Sequence, residues 1–220
     1  MSDLLGSNSV LNPELGPRLN SYLEQAGLPQ LDEETLRKFG LYFDLLMRWN
    51  ARTNLTGIRD ADGILRRHFV ESIATACAVP PGVQTLLDFG SGAGFPGIPI
   101  ALCRPDIAVT LAESNGKKAA FLHEAVRTLE IQTVVFHGRG ESLQGTFGAV
   151  TLRAVEKMRE AVPAAVRLIG PLGFLMLMTT EADVADLEVA AGATIKWQAS
   201  KPLAAGESRL LQIGRRVAQT

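Results

Sequence analysis

The chain has 220 residues, 46% hydrophobic and 20% charged, which excludes a disordered tail or a coiled coil and is long enough to bury a large core without a disulfide or metal staple. The formal net charge is −1, so nucleic acid would have to be met by a local basic patch and not by bulk charge. Two cysteines, Cys77 and Cys103, lack partners at metal-ligand spacing, and His68, His123 and His137 form no HxxxH-like pair. Small buried thiols in a reducing cytosol are therefore expected, and no metal site. No basic segment followed by an apolar run is visible in residues 1–10, and the longest uncharged stretch, Phe89 to Cys103, is rich in glycine and proline. It is too short to span a bilayer. A cytoplasmic protein without a membrane partner is expected.

In chain order, the first part is helical. Asn12 caps a predicted helix opened by Pro13, with Leu15, Leu19, Leu23 and Ala26 inward and Gly27 as its stop. Asp32 caps a second, in which Leu36, Phe39, Phe43 and Leu46 keep a helical period. A third runs from Asp62 through Leu65, Phe69 and Ile73, and Pro80-Pro81-Gly82 ends the helical front. Residues 1–82 thus read as an N-terminal helical extension packed on the core.

Residues 83–220 change period. Short β-rich runs fall at Thr85–Phe89, Ala108–Ala112, Thr133–His137, Ala149–Leu152, Phe174–Met178, Thr194–Trp197 and Leu210–Ile213. Helix-length segments such as Lys117–Leu129 and Val155–Leu168 separate the first six. That alternation predicts an α/β fold with a mostly parallel sheet covered on both faces. The loop before the last run, with Lys201-Pro202 and Gly206, is too short for a helical crossover, so the last strand is predicted antiparallel. A seven-stranded sheet reversed only at its end is the Rossmann-like outline of a class I methyltransferase domain.

The strongest motif is Asp88-Phe89-Gly90-Ser91-Gly92-Ala93-Gly94-Phe95-Pro96-Gly97, at the end of the first strand. Its glycines allow positive φ and close approach of a ligand to backbone. Part of it also fits GxGxxG, the dinucleotide fingerprint. Asp88, however, would repel a pyrophosphate and attract a sulfonium or amino group. Glu113, ending the second strand, lies 23 residues after Gly90, near the interval at which an acid meets a ribose hydroxyl pair. Arg139-Gly140-Glu141 follows the third strand, where a backbone N–H and a carboxylate suit an adenine. Between Arg48 and His68 stand five arginines (Arg48, Arg52, Arg59, Arg66, Arg67) against Asp60 and Asp62, and Lys117-Lys118 add charge beside the predicted cleft. RNA phosphates would be met there, while Phe43 and Trp49 suit the buried stripe.

Five blocks in order resemble one enzyme family. These are Trp49-Asn50-Ala51-Arg52-Thr53-Asn54-Leu55-Thr56, Arg67-His68-Phe69-Val70-Glu71-Ser72, Gly90 through Pro99, Glu113-Ser114-x-x-Lys117-Lys118-x-x-Phe121-Leu122, and Arg153-Ala154. The family is the bacterial 16S ribosomal RNA guanine-N7 methyltransferases, also called glucose-inhibited division protein B. The resemblance implies methyl transfer from S-adenosylmethionine to a guanine N7 in the hairpin loop beside the decoding site. It further implies cofactor contacts from Gly90, Phe95, Glu113, Gly140, Glu141 and Arg153. With the residues read directly, the candidate cofactor set is Asp88, Gly90, Gly92, Gly94, Phe95, Glu113, Gly140, Glu141 and Arg153. The candidate RNA set is Arg52, Arg66, Arg67, His68, Lys117 and Lys118, facing 16S RNA or the small ribosomal subunit. No catalytic side chain is assigned, with Arg153 as the positioning candidate through guanine O6 or the cofactor carboxylate. The sequence departs from the family pattern at Glu71, Glu113, Gly148, Leu152 and Thr179-Thr180. A nicotinamide-dependent oxidoreductase, a non-catalytic cofactor-binding module and a small-molecule methyltransferase stay open at this stage.

Overall fold

The structure, a computed structural model, describes residues 14–155, 157–203 and 208–217. The predicted cap Asn12, Pro13 and Gly206 lie outside those residues. Helix α1 (Leu15–Gln25) buries Leu15, Leu19 and Leu23, while Ala26 is exposed just past its end. Helix α2 (Glu33–Asn50) starts where Asp32 accepts the Thr35 N–H at 2.7 Å, satisfying one of the donors a helix start leaves orphaned. The predicted third helix is a composite of α3 (Ala61–Gly63), a π-helical stretch Ile64–Val70 and α4 (Glu71–Ala78). The wider π turn carries Arg66, Arg67 and His68, a helical irregularity of the kind found at functional sites.

The strands are β1 (Thr85–Phe89), β2 (Ala108–Glu113), β3 (Thr133–His137), β4 (Phe147–Arg153), β5 (Ile169–Thr180), β6 (Ile195–Trp197), β7 (Lys201–Pro202) and β8 (Arg209–Arg216). Their order is β3-β2-β1-β4-β5-β8-β6. Strands β1 to β5 pair parallel, and β8 pairs antiparallel with both β5 and β6. The predicted reversal at the last strand is thus observed. An eighth strand joins the predicted seven: β7, within the loop before β8, pairs Lys201 with Leu211 and Pro202 with Leu210. Two residues are too few to show a period in sequence, and proline is tolerated at such an edge.

Helices α5 (Gly97–Cys103), α6 (Gly116–Leu129), α7 (Met158–Arg167) and α8 (Val184–Ala191) cover the sheet. Successive strand residues point to opposite faces. Leu86, Leu111 and Met176 pack with Leu19, Phe39, Phe69 and Phe121. Leu87, Val150, Leu175 and Leu177 pack with Val162, Ala165 and Leu187. One apolar cluster therefore runs unbroken from α1 to β8, and the helical front forms one cover of the sheet. Trp49 edges onto Phe121 and donates its indole N–H to Glu124 at 2.9 Å, fixing α2 on α6. Cys103 is half-buried, whereas Cys77 is exposed, against expectation, because its position on α4 turns from the sheet.

Asp88 at the tip of β1 ties three elements. It is buried, its Oδ2 accepting the Gly97 N–H at the start of α5 and its Oδ1 accepting the Thr151 hydroxyl of β4. Burial pushes the folded carboxyl up to about 6, well above the ordinary aspartate range. This group therefore contributes stability below its unfolded pKa and loses it as pH rises through the folded one. Asp88→Asn removes that titration. The stability deficit of the variant in urea unfolding is expected to widen as pH falls from about 7 to about 4.5. A constant deficit would mean that the folded carboxyl titrates like an exposed one.

Candidate active site

A cleft of about 820 Å³ opens at the carboxyl ends of β1, β2, β3 and β4, where open parallel sheets bind ligands. One wall is the glycine loop after β1. Gly90 and Ser91 hang on the Ala112 carbonyl, and the buried Tyr42 hydroxyl donates to the Ala93 carbonyl from α2. Gly92 has φ +58°, and a Cβ there would meet nothing nearer than the Gly90 carbonyl at 3.9 Å. It faces open cleft. Gly94 serves a different need: at φ +90° its Cβ would lie 2.5 Å from Ile98 Cδ1, so this glycine permits packing. Asp88 and Gly94, expected to touch a cofactor, are spent behind the loop, and neither lines the cleft.

Glu113 closes the second side, nearly buried. Its Oε2 accepts the Gly92 N–H at 2.8 Å and its Oε1 accepts the Asn115 N–H at 2.7 Å. Each oxygen keeps lone-pair capacity for a further donor. Asn115 caps α6 on the Lys117 and Lys118 N–H groups, turning Lys118 into the cleft while Lys117 stays exposed. Gly140 is pressed on the Phe89 ring, where a Cβ would sit 2.4 Å away. It and Glu141 form the third side. Gly90, Phe95 and Arg153 also line the cleft, so seven of the nine expected cofactor residues are brought together.

Arg153 ends β4 and turns inward. Its Nη2 lies 2.9 Å from Glu71 Oε2, donates to the Arg67 carbonyl and sits 3.1 Å from His68 Nδ1, while Nη1 reaches Ser72 Oγ at 3.4 Å. Glu71 is wholly buried, and its other oxygen lies 2.9 Å from Arg209 Nε as an ion pair off the line of a hydrogen bond. Burial lowers the Arg153 guanidinium to about 10, with Glu71 opposing, so it stays charged at neutral pH.

His68, expected among the RNA-facing residues, is a neutral, half-buried ring. Its ring stacks on Phe95 at 4.6 Å, and burial, aided by the Arg153 charge, pushes it down to about 3. Arg52, Arg66 and Arg67 are exposed and none of them lines the cleft, with Arg66 lying over the Tyr22 ring at 4.0 Å. Sequence reasoning missed Thr56, Asn115 and Glu160 as cleft residues. Only the asparagine had a local signal, as a cap before a helical run. Among the described residues, no helix is long and apolar enough to cross a membrane.

The chain matches the family described as rRNA small subunit methyltransferase G over residues 35–205. A Halorhodospira halophila protein named ribosomal RNA small subunit methyltransferase G is 40% identical over 165 residues, covering 74% of this chain and 78% of that protein. One of the same name from Neisseria meningitidis serogroup B is 38% identical over 163 residues, covering 73% and 78%. Among solved structures, M. jannaschii TYW2 in complex with AdoMet superposes with a TM-score of 0.56 at 14% identity, over 73% of this chain and 80% of that one. At that identity the likeness bears on the fold alone.

Removing Glu71 leaves two guanidinium groups facing an empty anion position. Glu71→Ala is expected to lower the unfolding free energy by about 3–5 kcal/mol in urea titration. A loss below about 1 kcal/mol would place this cluster with exposed pairs of little weight.

Proposed function

This chain belongs to the rRNA small subunit methyltransferase G family, and from that premise we propose that it transfers a methyl group from S-adenosylmethionine to N7 of a guanine in 16S ribosomal RNA, in the hairpin loop beside the decoding site. The observation that carries the reading is the convergence of three successive strand ends, the glycine loop, Glu113 and Gly140-Glu141, on one cleft. A nicotinamide-dependent oxidoreductase and a small-molecule acceptor are both disfavoured by the family. Residues 1–82 are proposed as an extension packed on the 83–220 methyltransferase domain, a division that the change of period at Gly82 supports.

The residues present fit S-adenosylmethionine. Gly92 leaves room where any side chain would enter the cleft, and Glu113 keeps acceptor capacity for a ribose hydroxyl pair. Gly140 and Glu141 would hold the adenine, and Gly90 and Phe95 would border the amino acid end. Bound there, the group supplies an electrophilic methyl on a sulfonium. The guanine N7 lone pair lies in the ring plane and carries no proton, so no residue of the chain has to remove one. His68 is neutral, and burial with the neighbouring Arg153 charge holds it so far below the usual imidazole range that it makes a poor base. The chain's part is alignment and exclusion of water. Arg52, Arg66, Arg67 and Lys117 would meet RNA phosphates at the rim, with Lys118 inside it.

Gly92→Ala should weaken S-adenosylmethionine binding at least about tenfold in calorimetry, at a fold cost of about 1–2 kcal/mol for a left-handed alanine. Normal affinity would move the cofactor elsewhere. Tritiated methyl transfer to unmethylated small subunits and to naked 16S RNA tests the function, with 7-methylguanine as the expected product. The transfer rate should be flat from about pH 6.5 to 8.5, since no general base titrates there. A rate rising tenfold per pH unit would instead point to an acceptor nitrogen that must lose a proton.

A further inference from the structure

Beside the cleft lies a second cavity of about 430 Å³, large enough for a small aromatic ring system. It opens past the carboxyl ends of β4 and β5. Ala154, Lys157 and Glu160 line both spaces, so the two adjoin. Met158, Met178 and Leu187 give the second cavity its apolar surface, and thioethers pack well against aromatic rings. None of these three lines the cleft.

The charged side chains around it cancel, with Lys157, Arg159 and Arg209 against Glu160, Asp183 and Asp186. Lys157 lies 3.5 Å from Glu160 and Arg159 3.2 Å from Asp186, while Asp183 accepts the Thr180 hydroxyl at 2.6 Å. An occupant with a net charge would unbalance this lining, so a neutral polar ring fits it better than a phosphate. Arg209 keeps donors to offer. It meets Glu71 through Nε as an ion pair, and no described residue accepts a hydrogen bond from its terminal nitrogens. It stands opposite Thr180 across the antiparallel pair, and both residues line the cavity. Glu71 holds Arg153, a cleft residue, on its other oxygen, which keeps Arg209 close to the boundary of the two spaces. A guanidinium carries donors only, so no neighbour has to fix the sense of its hydrogen bonds.

We propose that the second cavity receives the target guanine and that Arg209 is a specificity-determining residue donating to its O6. This rests on the guanine-N7 reading of the cleft. Guanine presents N7 and O6 side by side as acceptors on one edge, whereas adenine carries an amino donor in place of O6. With N7 turned toward the cleft, O6 falls on the same side of the ring, where Arg209 stands. An adenine in that pose would set its amino group against donors that cannot accept. Sites built to hydrogen-bond one substrate group reject analogues that lack it far more strongly than apolar pockets do.

The test compares wild type, Arg209→Met and Thr180→Trp on small subunits reconstituted with 16S RNA carrying either guanine or 2-aminopurine at the methylated position. 2-Aminopurine keeps N7 and lacks O6. Arg209→Met removes the donor, and Thr180→Trp fills the second cavity from a position that does not line the cleft. On guanine, each variant is expected to lower kcat/KM at least about tenfold. On 2-aminopurine, wild type should fall by the same factor as Arg209→Met does on guanine, within about threefold, and the variant should lose little more. S-Adenosylmethionine affinity by calorimetry should be unchanged in Thr180→Trp. Because Arg209→Met also alters the Glu71 cluster, Thr180→Trp tests the cavity independently of it. Wild-type transfer by Thr180→Trp, or a loss of its cofactor affinity, would mean that the guanine does not enter there and would overturn the proposal. An equal loss from Arg209→Met on both bases would reduce Arg209 to a support for Glu71 and overturn it too, as would a wild type indifferent to O6. Wild type that transfers no methyl to guanine N7 would overturn the parent reading instead, whatever the variants do.

Discussion

A buried carboxylate, Glu71, is the constraint on which the rest of the site depends. It stands at the start of α4 with Arg153 of β4 on one oxygen and Arg209 of β8 on the other. Helix, parallel strand and antiparallel strand meet on one anion. Such a cluster is a weak source of net stability, since desolvating three charges offsets much of their attraction. What it provides is direction. With its fork held inward, Arg153 sits 3.1 Å from His68, and the ring of His68 is pressed on Phe95. The charge at the centre of the site is spent on orienting neutral groups.

The glycine loop is held by the same kind of arrangement. Three side chains fix it, two of them reaching in from behind. Asp88 holds the N–H of Gly97, Tyr42 holds the carbonyl of Ala93, and Glu113 holds the N–H of Gly92. Only Glu113 both supports the loop and lines the cleft. A loop fixed in advance loses less conformational entropy when a ligand arrives. The acid after β2 therefore does two jobs with one carboxylate, which the strand's length decides: a residue earlier and it would point to the opposite face.

The helical front is more than a cover. Leu55, Thr56, Gly57 and His68 form part of the cleft wall, and Tyr42 braces the loop opposite. The π turn at Ile64–Val70 is what places His68 over Phe95 while Arg66 and Arg67 stay exposed two and one residues before it.

Composition, period and turn residues determined the sheet class, the reversal of the last strand, the Asp32 cap and the glycine loop, because each is set by neighbours a few residues apart. Gly90, Gly92, Glu113, Gly140 and Glu141 were legible for the same reason: they sit at or just after strand ends, where short-range pattern marks position, while Phe95 and Arg153 came from the family resemblance. Tertiary structure decided the roles that depend on partners distant in the chain. Asp88 looked like a ligand-facing acid, yet Gly97 and Thr151 take its oxygens. Gly94 looked like its neighbour Gly92, yet Ile98 and Tyr42 occupy the space beside it. His68 sat in a basic run, yet Arg153, 85 residues away, and burial strip its charge. A side chain's type is local, but its protonation state and the atoms left free to act are set by what folding brings against it.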